Sequence, residues 1–153
     1  GWNRTLLIVT YDDAGGFYDH APLPTQNVPP PDDTPSCSRK ARFDYLGNRL
    51  PTLLISPWVQ KGAVIHDPPG EAGTVYRPYV DSKFEHSSIS STLKHIFNLS
   101  SFLTRRDAWA APLTSALTET EPRVDTFRHA PEPPAPSRAA AVHSCGEPDE
   151  LTR

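Results

Sequence analysis

Two short stretches of this 153-residue chain hold side chains whose types and spacing could support hydrolytic chemistry. The first follows an apolar run and combines carboxylates, glycines and an imidazole: Asp12, Asp13, Gly15-Gly16, Asp19 and His20. Adjacent carboxylates offer oxygen ligands to a divalent cation and neutralise its charge, and an aspartate pair suits several such metals. The imidazole could act as a ligand, a proton donor or a phosphate contact. The alternative is an acidic turn in which glycine supplies a positive φ.

The second stretch is Glu85-His86-Ser87-Ser88, at the start of a predicted helix. A helix N-terminus favours anions, because its first N–H groups are free and its dipole is positive there. The alternative is structural: Glu85 as a dipole-favoured residue at the helix start and His86 as a hydrogen-bonded histidine. Taken alone, each stretch fits its structural alternative at least as well as a site.

Two apolar runs and one amphipathic segment must position these residues. Continuous β-branched and aliphatic runs at 5–11 and 52–56 predict strands buried on both faces, and functional groups gather at the carboxyl ends of strands in open α/β sheets. A helix is predicted over 87–98, because apolar residues recur at i, i+4, i+7 and i+8: Ile89, Leu93, Ile96 and Phe97. Asn98 can end this helix in the left-handed conformation, and 104–110 predicts a short helix or turn.

Proline separates these elements from long irregular segments. The chain has 18 Pro and 8 Gly, and the prolines include six in a loop over 12–49 and six in the C-terminal segment. Residues 1–117 are predicted to form the folded part. Residues 118–153 are predicted to be a disordered Pro/Ala-rich tail, since they cannot bury enough apolar surface to offset their ordering entropy.

Charge and hydropathy exclude several classes of protein. The 15 basic and 18 acidic residues give a net charge of -3, without the basic footprint of a nucleic-acid-binding protein. No apolar run approaches the roughly 20 residues of a membrane span, so any membrane contact would be peripheral. Cys37 and Cys145 lie far apart in irregular sequence, which favours two unrelated thiols over a disulfide. The lack of Met predicts a processed product, an excised segment or an incomplete gene model.

Several blocks of the sequence, in order and in spacing, resemble the phosphoesterase family of bacterial phospholipases C, plant non-specific phospholipases C and a bacterial acid phosphatase. The blocks are TLLIVTYDDAGGFYDHAPLP, RLPTLLISPWVQKGAVIH, FEHSSISSTLKHIFNL and FLTRRDAWA, over roughly residues 2–111. The match leans toward the plant-type enzymes. The resemblance implies an α/β fold, namely the C-terminal part of an alkaline-phosphatase-like α/β/α sandwich with long irregular loops.

The resemblance also implies site residues. Metal ligation falls to Asp12 and Asp13, catalysis to His20, Glu85 and His86, and substrate binding to Asp19 and Arg49. Most family members carry Asp-Glu-His-Gly-Gly where this chain has Asp-Asp-Ala-Gly-Gly, so Ala14 removes an imidazole.

The implied activity is hydrolysis of phosphate esters, most specifically phospholipase C-type cleavage of phospholipids with a divalent metal. The family's Glu-Asn-Arg-Ser-Phe-Asp-His motif and its Ser or Thr nucleophile have no match here. The missing N-terminal half of the domain is therefore an implied partner, and the fragment is expected to be inactive alone, because metal, nucleophile and phosphate contacts act as one unit. The competing hypothesis is a truncated, non-catalytic paralogue that binds phosphate or lipid head groups.

Overall fold

The fold is that of a computed structural model, which describes residues 1–13, 19–33 and 43–125 together with residue 132. Its regular elements are two strands and two α-helices: β1 (Leu7–Thr10), β2 (Thr52–Ile55), α1 (Ser87–Ile96) and α2 (Arg105–Trp109). Short 3-10 helices lie at Trp2–Arg4 and Leu113–Ala116. This mixed content confirms the predicted α/β class, and the alkaline-phosphatase-like sandwich stays a prediction.

The two strands lie where the apolar runs predict them, and they pair antiparallel. Leu7 stands opposite Ile55, and Thr10 stands opposite Thr52. The carboxyl end of β1 therefore lies beside the amino end of β2. Residues that precede β2 therefore lie at the same end of the pair as the exit of β1. The residues that follow β2 lie at the other end.

The prediction that both strands are buried on both faces is wrong for the described residues. Leu7 and Val9 in β1 are each 46% exposed, and Leu53 and Ile55 in β2 are 60% and 41% exposed. A run of Leu, Ile and Val indicates what a strand can bury, but burial requires a second layer on each face. The described part of the chain supplies cover mainly to the opposite face, where Ile8 and Leu54 are half-buried.

The amphipathic segment forms α1, as predicted, and Asn98 follows it with a positive φ of 48°. The packing of α1 differs from the usual arrangement, in which the apolar stripe faces the core. Its buried residues are Ser88, Ser91 and Thr92, and α1 contacts α2 and the 3-10 helix at Leu113–Ala116. Thr92 Oγ1 fixes this contact, because it donates to the Ser88 carbonyl (2.6 Å) and accepts from Leu113 N (2.7 Å).

The predicted short helix is α2, which a capping box begins. The Thr104 hydroxyl accepts hydrogen bonds from the N–H groups of Arg106 and Asp107, each at 3.2 Å. The Asp107 carboxylate accepts in return from Thr104 N and from Leu103 N, the latter at 2.9 Å. Reciprocal capping satisfies N–H groups that a helix start leaves unpaired, so five residues suffice for a defined helix.

The apolar core lies beside α2 rather than beside the sheet. Val28, Trp109 and Ala110 form its buried cluster, with Leu46 packed against it. Trp109 is 3% exposed, and its indole Nε1 donates to Asp81 Oδ1 at 3.1 Å, so its polar atom is satisfied.

The predictions for the C-terminal tail and the two cysteines fall mostly on residues that the structure does not describe. The first residues of the predicted tail are hydrogen-bonded, because Glu119 N donates to the Trp58 carbonyl and Arg123 N to the Pro57 carbonyl. Most of the tail, and both Cys37 and Cys145, lie outside the described residues. Among the described helices, none has the length and apolar character to cross a bilayer.

Candidate functional site

The predicted metal ligands lie where β1 ends. Asp12 and Asp13 follow Thr10, the last residue of β1, and both are exposed. Thr10 and Thr52 hold the strand ends together through a hydroxyl–hydroxyl hydrogen bond of 2.7 Å. Within the described part of the chain, the Asp12 carboxylate makes no hydrogen bond or ion pair, so it is open to a ligand from solution.

His86 reaches the same strand end across 75 residues of sequence. Its Nε2 lies 2.8 Å from the carbonyl oxygen of Tyr11, the residue that joins β1 to Asp12. A carbonyl oxygen only accepts, so Nε2 must carry the proton in this hydrogen bond. The neutral ring therefore keeps its lone pair on Nδ1. A backbone carbonyl that fixes a histidine tautomer in this way is typical of histidines that bind metal or move protons.

Glu85 precedes His86 and faces into the protein. Its Oε1 lies 3.4 Å from Arg106 Nε, and the side chains of both residues are 12% exposed. Neither of these two buried atoms makes a hydrogen bond within the described residues, so the attraction between them is coulombic. The Ser88 hydroxyl accepts from Glu85 N at 3.0 Å, which holds the turn that carries Glu85 and His86 at the start of α1.

Arg106 joins this turn to two loops. Its guanidinium Nη1 donates to the carbonyls of Pro29 (2.9 Å) and Phe43 (2.8 Å), and Nη2 donates to the carbonyl of Tyr45 (3.2 Å). The guanidinium carbon also lies 5.8 Å from the ring centre of Trp109. One cation in α2 thus fixes the carboxylate beside His86 and the segment that leads to Arg49.

Asp19 and Arg49 form an ion pair at the same end of the strands. Arg49 donates from Nε to Asp19 Oδ1 at 2.8 Å, also from Nη2, and its backbone N donates to Oδ2 at 3.1 Å. The Asp19 side chain is 10% exposed and that of Arg49 is 63% exposed. These bonds, chiefly those from the Arg49 side chain, hold the pKa of Asp19 well below its ordinary value, and the pair raises the pKa of Arg49.

This pair predicts a contribution to stability that depends on pH. A carboxyl group whose pKa is lower in the folded state stabilises the fold above its unfolded pKa of about 3.9, and this contribution is lost as the pH falls toward the folded value. Asp19→Asn should therefore lower the melting temperature near pH 6, and the difference from the wild-type chain should shrink steadily below about pH 4. Thermal unfolding followed by circular dichroism from pH 2 to pH 7 measures this, and a difference that does not change with pH would contradict the assignment.

The structure brings most of the predicted site residues to one end of the strand pair. Asp12, Asp13 and His86 lie at the exit of β1, and Asp19 and Arg49 flank the entry to β2. His20 is exposed and makes no hydrogen bond or ion pair within the described residues. A cleft of about 440 Å³ lies elsewhere, between Asn27, Tyr79 and Trp109, and no predicted site residue lines it.

A complete metal centre is not assembled by the described residues alone. No group of three or more His, Cys, Asp or Glu side chains among them is arranged to hold a metal ion. The donor set that they offer is the aspartate pair, whose oxygens suit hard divalent cations. Such cations require more ligands than one pair supplies, so the described residues do not by themselves fit a resident metal.

Sequence reasoning missed Arg106 and Asp107. The Thr104-x-x-Asp107 spacing is a capping-box signature, and it could have identified Asp107. Arg106 offered no such signal, because its partners include the backbone carbonyls of distant loops.

The site and fold together define a mixed α/β segment with paired aspartates and a tethered histidine at a strand exit. The chain belongs to the phosphoesterase family, because the model of the Phosphoesterase family matches residues 1–100. It is 45% identical to non-specific phospholipase C3 of Arabidopsis thaliana over 152 residues, which cover 99% of this chain and 28% of the relative. It is 52% identical to non-specific phospholipase C1 of the same plant over 111 residues, 71% of this chain and 20% of the relative.

A bacterial relative also matches this chain, at lower identity. Phospholipase C B of Mycobacterium tuberculosis is 30% identical over 156 residues, which cover 93% of this chain and 24% of that protein. The chain thus spans about a quarter of the length of the curated relatives it matches.

Proposed function

We propose that this chain contributes the aspartate–histidine part of a site that hydrolyses phosphate esters, with phospholipase C-type cleavage of phospholipids as its reaction. The observation that carries the proposal is the 2.8 Å contact between His86 Nε2 and the Tyr11 carbonyl, which brings an imidazole to the residue that precedes Asp12. Membership of the phosphoesterase family, and relatives that are named phospholipases C, support a phosphate ester as the bond that is cleaved.

Each candidate residue has a task that its surroundings permit. His86 presents Nδ1, which can move a proton to or from a phosphate ester oxygen. Arg49 keeps a largely exposed guanidinium that can contact phosphate oxygens, and Asp19 orients it. Glu85 is turned toward Arg106, so we assign it to fixing the turn in front of His86. His20, next to Asp19, is a second exposed imidazole for the same substrate.

This proposal includes a divalent cation, which the carboxylates of Asp12 and Asp13 would hold. It would supply positive charge to the phosphate group when bound. Further ligands would have to come from outside the described residues. The nucleophile is likewise proposed to come from a part of the domain that the relatives have and this chain does not span.

The experiment compares the chain alone with the chain co-expressed with the rest of non-specific phospholipase C3, outside the matched 28% of its length. We expect no hydrolysis of phosphatidylcholine by either part alone, and release of diacylglycerol and phosphocholine by the pair. A divalent chelator should abolish the release, and a carboxylic ester substrate should not be cleaved. A pair that assembles and binds phosphate without hydrolysing any phosphate ester would contradict the proposal and indicate a binding module.

A further inference from the structure

One face of the two-stranded sheet consists of exposed aliphatic side chains. Residues directly opposite each other in an antiparallel pair project from the same face. The pairing of Leu7 with Ile55 and of Val9 with Leu53 therefore places these side chains together, and each is at least 41% exposed. We call this set, Leu7, Val9, Leu53 and Ile55, the apolar sheet face.

A second apolar surface lies on α1. Leu93, Ile96 and Phe97 are 46%, 49% and 67% exposed, whereas the polar Ser88, Ser91 and Thr92 of the same helix are buried. We call Leu93, Ile96 and Phe97 the apolar helix face. A helix that packs inward through hydroxyl side chains and presents its large aliphatic and aromatic residues to water has a surface suited to a partner.

We propose that both faces are contact surfaces for a strand-bearing segment of a phosphoesterase domain, equivalent to the part of the relatives that this chain does not span. The relatives named above are matched over only 20% to 28% of their length, so the part of them outside the match is more than twice as long as this chain. The inference rests on the proposed function, because the partner is taken from the same family.

The sheet itself favours a partner that carries strands. Among the described residues, the sheet has β1 and β2 only, so each strand has one edge without a ladder partner. Open edges of this kind pair with another strand, and a two-stranded sheet is at best marginally stable without further strands or a covering layer. A lipid bilayer offers no strand to these edges, and the length that remains in the relatives supports a segment of the domain over a second copy of this chain.

The test measures recovery of a one-to-one complex between the tagged chain and the co-expressed remainder of non-specific phospholipase C3. Leu53→Lys places a charge in the apolar sheet face and should lower recovery at least about tenfold. Leu53→Thr preserves strand propensity and should lower it less, which keeps the test valid if the lysine variant folds poorly. Phe97→Asp should act in the same way on the apolar helix face. Val64→Asp is the matched control, because Val64 is 77% exposed and outside both faces, and it should leave recovery unchanged.

Three results would overturn the inference. Equal recovery of all variants would show that the faces are not contacts. A homodimer of the chain that Leu53→Lys dissociates would identify a second copy as the occupant, and Leu53-dependent binding to phosphatidylcholine vesicles would identify a bilayer. Complex formation without hydrolysis would retain this inference while contradicting the proposed function. Hydrolysis by the pair, with recovery of the complex unaffected by Leu53→Lys and Phe97→Asp, would retain the proposed function while contradicting this inference.

Discussion

Replacing Arg106 with alanine is expected to lower the free energy of unfolding by about 3 kcal/mol or more. The substitution leaves the buried Glu85 carboxylate without its cation, and removal of one partner of a buried ion pair is costly because an uncompensated charge remains. It also removes the donors for three backbone carbonyls, at Pro29, Phe43 and Tyr45. The Pro29 carbonyl is partly buried, so the loss of its donor adds to the destabilisation, whereas the more exposed carbonyls of Phe43 and Tyr45 can bind water instead.

The neighbouring arginine is the matched control for this prediction. Arg105 pairs with Asp33 at 2.7 Å, but its side chain is 53% exposed and that of Asp33 is 94% exposed. Exposed ion pairs contribute about 0–1 kcal/mol, so Arg105→Ala should change stability little. Denaturant titration of both variants gives the comparison, and equal effects would show that Arg106 is not the residue that fixes these loops.

Two further variants separate the charge of Arg106 from its shape. Arg106→Lys keeps the charge but loses the planar fork that reaches several carbonyls, so it should recover only part of the stability. Glu85→Gln should be less destabilising in the Arg106→Ala background than in the wild-type chain, because it then removes the unpaired charge. If Arg106→Ala does not fold, the lysine variant and the glutamine variant still test the assignment.

The local elements could be predicted from the sequence, whereas their directions and faces could not. Apolar runs, and apolar residues at helical spacing, indicate which surface a single segment could bury. The elements β1, β2 and α1 lie where these patterns predict them. Strand direction and burial depend on what packs against each face. For this reason, neither the antiparallel pairing of the strands nor the outward stripe of α1 could be predicted from these patterns.

The candidate site shows the same division. The paired aspartates follow a recognisable strand, so their position at its exit could be read directly. The approach of His86 to the Tyr11 carbonyl has no local signal, because the acceptor is a backbone atom distant in sequence. Arg49 is intermediate, since it lies just before β2 and its place at this end of the strands follows once the direction of pairing is known. Its ion pair with Asp19, which lies well beyond the end of β1, has no such local signal.

His86 gives the prediction with the largest expected effect on catalysis. His86→Ala removes an imidazole whose Nδ1 is free to exchange protons, and loss of a general acid or base costs about 10²- to 10⁴-fold in rate. The assay is phosphatidylcholine hydrolysis by the chain together with the remainder of non-specific phospholipase C3. His66→Gln is the control, because His66 is also exposed but lies outside the site, and its rate should stay at the wild-type level.

The Tyr11 contact makes it possible to separate the chemistry of His86 from its tether. His86→Gln keeps an N–H donor for the Tyr11 carbonyl but has no group that can act as an acid or base. If His86 only holds the strand end to α1, the glutamine variant should retain most of the activity. If Nδ1 moves a proton, glutamine should be nearly as inactive as alanine, which is the result we expect.

The tautomer of His86 can be tested without any turnover. Nitrogen-15 NMR of the ring should show the neutral form protonated on Nε2. The reason is that Nε2 is the ring nitrogen that contacts the Tyr11 carbonyl, and a carbonyl oxygen can only accept a hydrogen bond. A ring protonated on Nδ1 would contradict the contact and remove the geometric reason for assigning proton transfer to His86. The expected tautomer combined with an active His86→Gln variant would show that His86 is a structural link. The acid–base role would then be assigned to His20, the exposed imidazole next to Asp19.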